Sequence, residues 1–311
     1  MEHQEKVRAR RADWRKLCFG LAVFAALGGC ENPWVKSLTE PLYKEDPEIT
    51  EEERKNYEDF GAGTIPGGNI RSVSSSADWT AALASINSPG DYIINVTGNV
   101  SVPVGTTFSG SGITVSLRGG GTLACTGSGN LLNVGSNQHL IIRDVTLEGN
   151  SSNFNPLTTI WGKVTLKTGG KITGNNAGGA NSCGMLINGG EFIMEGGEIS
   201  GNYVGSGNGG GVRLMTGTFR MSGGIIRDNH CSGGNGRGGG VYINFGTFIK
   251  TGGIIYGGSA APGDANTVDI WGTGHAVYST YESGKYRNDD VTDDISVIPG
   301  SVPVHGGIWY P

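Results

Sequence analysis

The sequence has little positive charge and little proline. It contains 23 Lys and Arg against 28 Asp and Glu, and residues 60–311 carry a net charge of only −2. Proteins that bind DNA or RNA need clustered positive charge, so we expect no nucleic-acid partner. Only 11 prolines accompany 57 glycines and no strict Gly-X-Y period occurs, which excludes a collagen triple helix. The glycines are therefore expected in tight turns and close backbone contacts.

Cysteine is scarce as well, and its spacing suits no metal site. None of the five cysteines forms a Cys-x-x-Cys motif or a Cys/His pair at ligand spacing, so we predict neither a metal nor a cofactor. Beyond residue 30 the cysteines are Cys125, Cys183 and Cys231, which is an odd number. A disulfide between two of them and buried free thiols are both compatible with the sequence.

The apolar run Leu17–Leu27 is too short to span a bilayer. Six basic residues precede it, and Gly28 and Gly29 follow it directly before Cys30. A basic start, a short apolar segment and small residues before a cleavage site indicate a secretory signal peptide over residues 1–29. The end of this segment resembles a bacterial lipobox. That resemblance implies cleavage after Gly29 and a diacylglyceryl group on Cys30, which would anchor the chain in a membrane.

Residues 30–70 are predicted to be the lipidated cysteine followed by a disordered acidic tether. Residues 31–59 contain ten acidic and four basic residues, and their apolar residues are too few to build a core. A spacer of this length would hold the following domain away from the membrane surface.

The rest of the chain, residues 71–311, is interpreted as one repeat domain. Its signature is a pair of glycines that recurs after 27, 27 and 29 residues. The four pairs are Gly169-Gly170, Gly196-Gly197, Gly223-Gly224 and Gly252-Gly253. A fixed period of this size indicates a repeat architecture. Because no helical period spans a unit, repeats that contain a helical arm are excluded.

Alternating apolar residues place three short strands in each unit. We therefore predict an all-β fold, a right-handed single-stranded parallel β-helix with about seven coils and three short strands per coil. Stacked coils would align equivalent side chains into columns. The predicted columns are Val164/Phe192/Phe219/Phe248, Ile172/Ile199/Ile226/Ile255, Leu166/Met194/Met221/Lys250 and, in a turn, the ladder Asn175/Asn202/Asn229. The lysine in the third column indicates either a core that opens there or a shift of register.

Both ends of such a solenoid need caps, because their strand edges are unpaired. Residues 76–87 are predicted to form a short N-terminal capping helix, with Ser76 or Asp78 as its N-cap. The apolar face of this helix consists of Trp79, Leu83 and Ile86. Residues 275–311 break the period and are rich in Tyr and Trp, which predicts a C-terminal cap.

The repeat units resemble those of a known group of folds. Segments such as GTFRMSGGIIRDN and GGGVYIN are similar to the glycine-rich right-handed β-helix repeats of pectate-lyase-like folds. The lipobox, the tether segment Glu40–Lys44 and the ending around Gly274–Tyr278 resemble a group of spirochaete lipoproteins built from such repeats. The resemblance covers nearly the whole chain. It implies a surface or periplasmic position and assigns no chemistry.

The outward-facing strand positions supply the candidate site residues. No column stacks two acids or the ligands of a metal ion, so no catalytic residue is predicted. Arg213, Tyr242 and Asp269 form the best mixed column, and Trp161 and Trp271 lie on the same strand series. These residues are predicted to bind a ligand such as a sugar, and a plain exposed sheet face is the alternative interpretation.

The sequence therefore predicts a lipoprotein of the bacterial envelope, anchored in the outer membrane, with a structural, adhesive or envelope-interaction role and no catalysis. Its expected partners are the membrane, through the lipid, and a carbohydrate or a host or envelope protein. The alternative is a polysaccharide lyase or glycoside hydrolase that acts on an outer face of the β-helix. The sequence leaves open whether the domain faces the periplasm or the exterior.

Overall fold

The computed structural model describes residues 50–61, 65–177, 184–281, 284–300 and 309–310. The chain forms two compact units, Met1–Lys55 and Asn56–Pro311, and only residues 50–55 of the first are described. The predicted signal peptide, Cys30 and Cys183 lie outside the described residues. Cys125 and Cys231 are buried and form no disulfide within the described part of the chain.

The second unit is a parallel β-solenoid of about seven turns, which confirms the predicted fold class. Each later turn of the solenoid contributes strands to four outer faces. We number these faces in the order in which the chain passes through them. Face 1 comprises β4 (Thr106–Thr107), β7 (Leu132–Val134), β10 (Thr158–Ile160), the starts of β14 (Met185–Met194) and β17 (Val212–Met221), β20 (Val241–Ile243), β24 (Val277–Ser279) and β25 (Lys285–Arg287). Face 2 comprises β1 (Ile70–Val73), β2 (Gly90–Val96), β5 (Ile113–Arg118), β8 (Gln138–Ile142), β11 (Lys163–Leu166), the ends of β14 and β17, β21 (Thr247–Lys250) and β26 (Ile295–Val297).

Faces 3 and 4 are separate sheets. Face 3 comprises β3 (Asn99–Val102), β6 (Thr122–Cys125), β9 (Thr146–Glu148), β12 (Lys171–Thr173), β15 (Glu198–Ser200), β18 (Ile225–Arg227) and β22 (Ile254–Ile255). Face 4 comprises β13 (Asn176–Ala177), β16 (Tyr203–Val204), β19 (His230–Cys231) and β23 (Thr267–Val268). The three-strand prediction lacked face 4, because strands of two residues are too short to show an alternating pattern.

The predicted internal columns are confirmed by the strand register. Phe192, Phe219 and Phe248 are paired in successive turns, are fully buried, and stack with ring centroids 5.0 and 4.9 Å apart. The isoleucine column is paired in the same way along face 3. Parallel pairing aligns equivalent side chains, so a repeated sequence becomes a continuous core.

The predicted asparagine ladder is also confirmed, and it is longer than expected. The side chain of Asn202 donates from Nδ2 to Asn229 Oδ1 at 2.9 Å, and Asn229 donates to Asn266 Oδ1 at the same distance. Asn153 adds a further rung by donating to Asn175 Oδ1 at 2.7 Å. All five amides are buried. The ladder therefore satisfies the polar groups of the corner between faces 3 and 4.

The glycine pairs form the corner between faces 2 and 3. Gly197 has a φ of 73°, in the left-handed region that favours glycine. A Cβ atom at this position would lie 2.5 Å from the backbone oxygen of Gly170 in the turn below. The close stacking of turns therefore excludes a side chain here, which explains why the glycine recurs.

A short helix caps the N-terminal end of the solenoid, as predicted. Helix α2 (Ser76–Ser85) buries Trp79 against the first turns, and Ile86 directly after it is also buried. The prediction of Ser76 or Asp78 as N-cap is wrong, by one and three residues respectively. Ser75 is the N-cap, and its Oγ accepts from the backbone N–H of Asp78 at 3.2 Å.

Antiparallel strands cap the other end. β25 pairs with β24 on face 1, and β26 pairs with β21 on face 2. Val291 forms an antiparallel bridge to Ile255 on face 3. The chain thus reverses its direction after the last turn and covers three exposed sheet edges.

Part of the segment predicted as a disordered tether is a helix. Helix α1 spans Glu51–Phe60 and buries Asn56 and Asp59. It begins with a capping box, in which Glu53 Oε2 accepts from the N–H of Thr50 at 2.9 Å and Thr50 Oγ1 accepts from the N–H of Glu53 at 3.2 Å. The prediction of disorder is therefore wrong over residues 51–60. Composition alone missed the helix, because its buried side chains are polar.

Candidate functional site

The structure brings two of the three predicted site residues together. Arg213 and Tyr242 are paired in adjacent turns of face 1, and the guanidinium carbon lies 5.8 Å from the centroid of the tyrosine ring. Burial lowers the pKa of Arg213 and raises the pKa of Tyr242. The two side chains form a cation–π contact, whereas ligand binding by them stays a prediction.

The placement of Asp269 in the same column is wrong. The residue paired with Tyr242 in the next turn is Tyr278, and Asp269 follows β23 on face 4. The prediction assumed turns of nearly equal length. The last turn instead contains extra residues between β22 and β23, so that 36 residues separate Tyr242 from Tyr278.

Tyr278 belongs to a row of stacked tyrosines at the C-terminal end of face 1. The centroid distances are 5.7 Å from Tyr242 to Tyr278, 6.5 Å on to Tyr286 and 5.5 Å from there to Tyr310. Arg237 lies over the ring of Tyr278 at 4.9 Å. Tyr242 and Tyr278 are each only 6% exposed, so their ring faces are not open to a ligand. The row instead attaches the antiparallel cap to the last turn.

Asp269 takes part in a different group, which we call the face 4 cluster: Tyr203, His230, Thr267 and Asp269. His230 Nδ1 lies 2.7 Å from Thr267 Oγ1, and its Nε2 lies 3.3 Å from Asp269 Oδ1. The imidazole also stacks on Tyr203, with ring centroids 5.2 Å apart. The cluster lies on the outer surface, and each of its side chains is partly exposed.

The face 4 cluster joins a hydroxyl, an imidazole and a carboxylate in that order. With a proton on Nε2, His230 donates to Asp269 and accepts from the hydroxyl of Thr267. Nucleophilic hydrolases use the same order of groups together with backbone donors for the oxyanion. The backbone N–H of Gly233 already donates to Asp269 Oδ2 at 2.8 Å. This N–H is thus bonded to the carboxylate of Asp269. The partly exposed polar groups of the face 4 cluster can still form hydrogen bonds with a polar ligand.

Two large apolar residues directly follow Asp269 of this cluster in the chain. Ile270 is 90% exposed and Trp271 is 76% exposed, and we call this pair the tip. The turn that carries the tip is firmly bonded, because Gly272 N–H donates to Asp269 O at 2.6 Å and Thr273 N–H donates to Gly236 O at 3.1 Å. Sequence analysis named Trp271 but missed Ile270 and His230. In the sequence, Ile270 and Trp271 directly follow Asp269, and this run of two large apolar residues after an acid is the signal that indicates the tip.

Several carboxylates of the described surface form ion pairs with nearby cations. Glu191 lies 3.2 Å from Arg220, Glu198 lies 3.0 Å from Arg227, and Asp293 lies 3.0 Å from Arg287. Among the described residues no group of three or more His, Cys, Asp or Glu could hold a metal ion. The pairs of Glu191 and Glu198 join adjacent strands of the parallel sheets, whereas the pair of Asp293 and Arg287 lies within the antiparallel cap.

A shallow depression lies on the boundary of faces 1 and 2 near the N-terminal end. It has a volume of about 390 Å³, and its lining includes Thr114, His139 and Lys163. His139 Nε2 lies 2.9 Å from Thr165 Oγ1. Burial, together with the charge of Lys163, lowers the pKa of His139 to about 4. The imidazole is therefore neutral at physiological pH.

Comparison with models of known protein families, with curated proteins and with solved structures finds no significant match to this chain. In the described part of the chain, no helix has both the length and the apolar character needed to cross a membrane.

Proposed function

We propose that the chain is a lipid-anchored binding protein of the bacterial envelope, which presents the tip and the face 4 cluster to a partner. The solenoid serves as the rigid support, and Cys30 carries the anchor. The observation that carries the proposal is the tip, where Ile270 and Trp271 are exposed on a turn held by backbone hydrogen bonds. Large apolar side chains exposed side by side are typical of interaction sites.

The chemistry around the tip supports a glycan as the partner. Trp271 offers an apolar ring surface, while Asp269, His230 and the hydroxyl of Tyr203 lie along the adjoining surface of face 4. Sugars present apolar C–H faces and hydroxyl groups together, so an aromatic ring beside hydrogen-bonding groups is complementary to them. Recognition of this kind does not require the binding surface to carry a net positive or negative charge.

A binding experiment tests the role of the tip. The mature chain is titrated against a panel of purified neutral and acidic envelope polysaccharides, in parallel with Trp271→Ser and with the matched control Phe245→Ser. Phe245 is 64% exposed and lies beyond the end of β20, outside the tip. We expect Trp271→Ser to lose about tenfold or more in affinity, since an anchor residue contributes about 2 kcal/mol. Equal affinities of the two variants would refute the proposal.

A fractionation experiment tests the anchor. Cys30→Ala removes the sulfur to which the lipid would be attached, so the chain should move from the membrane fraction to the soluble fraction. Cys125→Ala is the matched control and should leave the chain in the membrane fraction. A Cys30→Ala chain that stays with the membrane would contradict lipidation.

The alternative function, polysaccharide cleavage, is separated from binding by turnover. The same polysaccharides are incubated with the chain, with and without Ca²⁺, while reducing ends and the absorbance of new double bonds are followed. Appearance of either product at a rate proportional to the amount of chain would replace the binding proposal by an enzymatic one.

A further inference from the structure

A buried ionic cluster lies on face 2, away from the tip. Ser116 and Arg118 end β5, Arg143 directly follows β8, and Lys167 directly follows β11. These three strands are neighbours in register, since Leu117 pairs with Ile142 and Ile142 pairs with Leu166. Three successive turns therefore place three cations in a row on one edge of the face.

Asp59 of helix α1 is inserted into this row. Its Oδ2 accepts from Ser116 Oγ and from Arg118 Nη2, both at 2.7 Å. Its Oδ1 accepts from Arg143 Nη2 at 2.9 Å and lies 3.6 Å from Lys167 Nζ. The carboxyl side chain has 0% exposure. Both oxygens are thus surrounded by donors, as in a site built to receive a carboxylate.

The neighbouring charges are consistent with a site that favours an anion. Burial alone would raise the pKa of Asp59, but the hydrogen bond from Ser116 and the interactions with Arg143 and Arg118 outweigh it and lower the pKa. Glu58 also contacts Arg143, with its Oε2 2.7 Å from Nη2. Lys167 is shared with a second acid, Glu195, at 3.1 Å.

The contacts between residues 56–60 and face 2 are almost entirely polar. The buried residues of helix α1 are Asn56 and Asp59, and Asn56 Oδ1 accepts from Arg118 Nη1 at 2.8 Å. Phe60 contributes a cation–π contact, with its ring centroid 5.7 Å from the guanidinium carbon of Arg118. Helix α2, in contrast, buries the whole indole of Trp79. Residues 56–60 are therefore held mainly by charge-assisted hydrogen bonds and ion pairs, for which another carboxylate can compete.

We propose that Ser116, Arg118, Arg143 and Lys167 form a carboxylate-binding site for an acidic polypeptide segment, which the chain's own Asp59 occupies reversibly. The occupant is a helical peptide with adjacent acids, Glu58 and Asp59, and this defines the kind of partner that fits. A partner segment with the same pattern replaces the helix and gains the same charge-assisted hydrogen bonds. The inference is independent of the proposed function, because face 2 and the tip share no residue.

Chemical rescue tests the site. Asp59→Ala in the full mature chain leaves the three cations without their central carboxylate. Sodium acetate is then titrated in, at constant ionic strength set with NaCl, while the thermal midpoint is measured. We expect a rise of about 3 °C for Asp59→Ala at ten times the dissociation constant, and none for the wild-type chain, whose site is filled. The matched control is Glu148→Ala, which removes an exposed acid of face 3 and should not respond to acetate.

A peptide with the sequence of residues 51–60, EEERKNYEDF, tests the class of partner. It should bind Asp59→Ala at least tenfold more tightly than the wild-type chain, and the same peptide with Asn in place of its Asp should lose this difference. Polygalacturonate is the competing probe. If it bound Asp59→Ala more tightly than the peptide, the site would be assigned to acidic polysaccharides and the proposal overturned.

A measurement on the wild-type chain covers the case in which Asp59→Ala fails to fold. Trypsin cleavage after Lys55 is followed at 0.1 M and 1 M NaCl. Reversible ionic docking predicts several-fold faster cleavage at high salt with an unchanged circular dichroism spectrum. A cleavage rate that is independent of salt, or the absence of acetate rescue in a folded Asp59→Ala chain, would overturn the proposal.

Discussion

Lys250 Nζ donates a hydrogen bond to the backbone oxygen of Asp293 at 2.9 Å, from a position that Met221 occupies one turn earlier. Lys250 is 1% exposed. The sequence interpretation that the core opens at this lysine, or that the register shifts, is therefore wrong. The column keeps its register, and its last member reaches past the final turn to the antiparallel cap.

Substitutions of Lys250 should separate packing from bonding to the cap. Lys250→Met continues the column of Met194 and Met221 and removes a buried amine, so we expect it to cost less than about 1.5 kcal/mol. Lys250→Ala loses the packing as well and should cost about 2–4 kcal/mol. Urea unfolding of both variants gives the two values. An alanine variant as stable as the methionine variant would show that the aliphatic stem contributes nothing.

The asparagine ladder should be sensitive to the loss of one rung. Asn229→Ala removes the acceptor for Asn202 and leaves Ile199 O and Asn266 Oδ1 without their buried donor. We expect a loss of about 2–4 kcal/mol in the free energy of unfolding. The control is Asn235→Ala at an exposed position, which should change stability by less than about 0.5 kcal/mol. Similar losses for both variants would mean that the ladder is not a stabilising network.

The phenylalanine column gives a second matched pair. Phe219 is buried between the rings of Phe192 and Phe248, whereas Phe245 is 64% exposed. Phe219→Ala should lower the free energy of unfolding by about 3–5 kcal/mol, because it removes two stacking contacts and leaves a cavity. Phe245→Ala should be nearly neutral. Thermal unfolding followed by circular dichroism distinguishes the two.

Stability should fall on mild acidification because of His139. Its pKa is about 4 in the folded chain and about 6.5 in the unfolded chain, so the unfolded state binds the proton more readily. The stabilising contribution is complete above pH 6.5, decreases as the pH falls towards 4, and changes no further below that. His139→Gln, which keeps a donor for Thr165, should flatten this part of the curve. Part of the slope remains in the variant, because burial also lowers the pKa of His275. A wild-type curve and a variant curve that run parallel between pH 4 and 6.5 would contradict the assignment.

Local repetition made most of the fold predictable. The glycine pairs and the columns that include Phe219 and Asn202 depend on a spacing of 27 to 29 residues, and a parallel solenoid converts equal spacing into contact. The prediction failed where the spacing changes. Asp269 lies 27 residues after Tyr242, but the longer last turn pairs Tyr242 with Tyr278 instead.

The ionic site on face 2 shows what a repeat pattern does not contain. Asp59 contacts Arg118 and Arg143, which lie 59 and 84 residues further along the chain. Nothing in the acidic segment indicates which of its carboxylates is buried, since Glu58 and Asp59 are adjacent acids in a segment without apolar periodicity. The face 4 cluster was missed for a related reason, because its strands are two residues long.

Because equivalent residues recur after nearly equal numbers of residues, whole turns can be added or removed, which would change the height of the solenoid. Glu191 and Thr218 are paired and separated by one complete turn, so a chain without residues 191–217 would join Gly190 directly to Thr218 at an equivalent point. Phe219 would then lie above Val164, in the place that Phe192 now fills. Gain or loss of whole turns in this way would move the tip nearer to helix α2 or farther from it, with the caps unchanged and the asparagine ladder longer or shorter by one rung. Under the proposed anchoring at Cys30, copying or deleting a single 27-residue module would set the distance between the tip and the membrane.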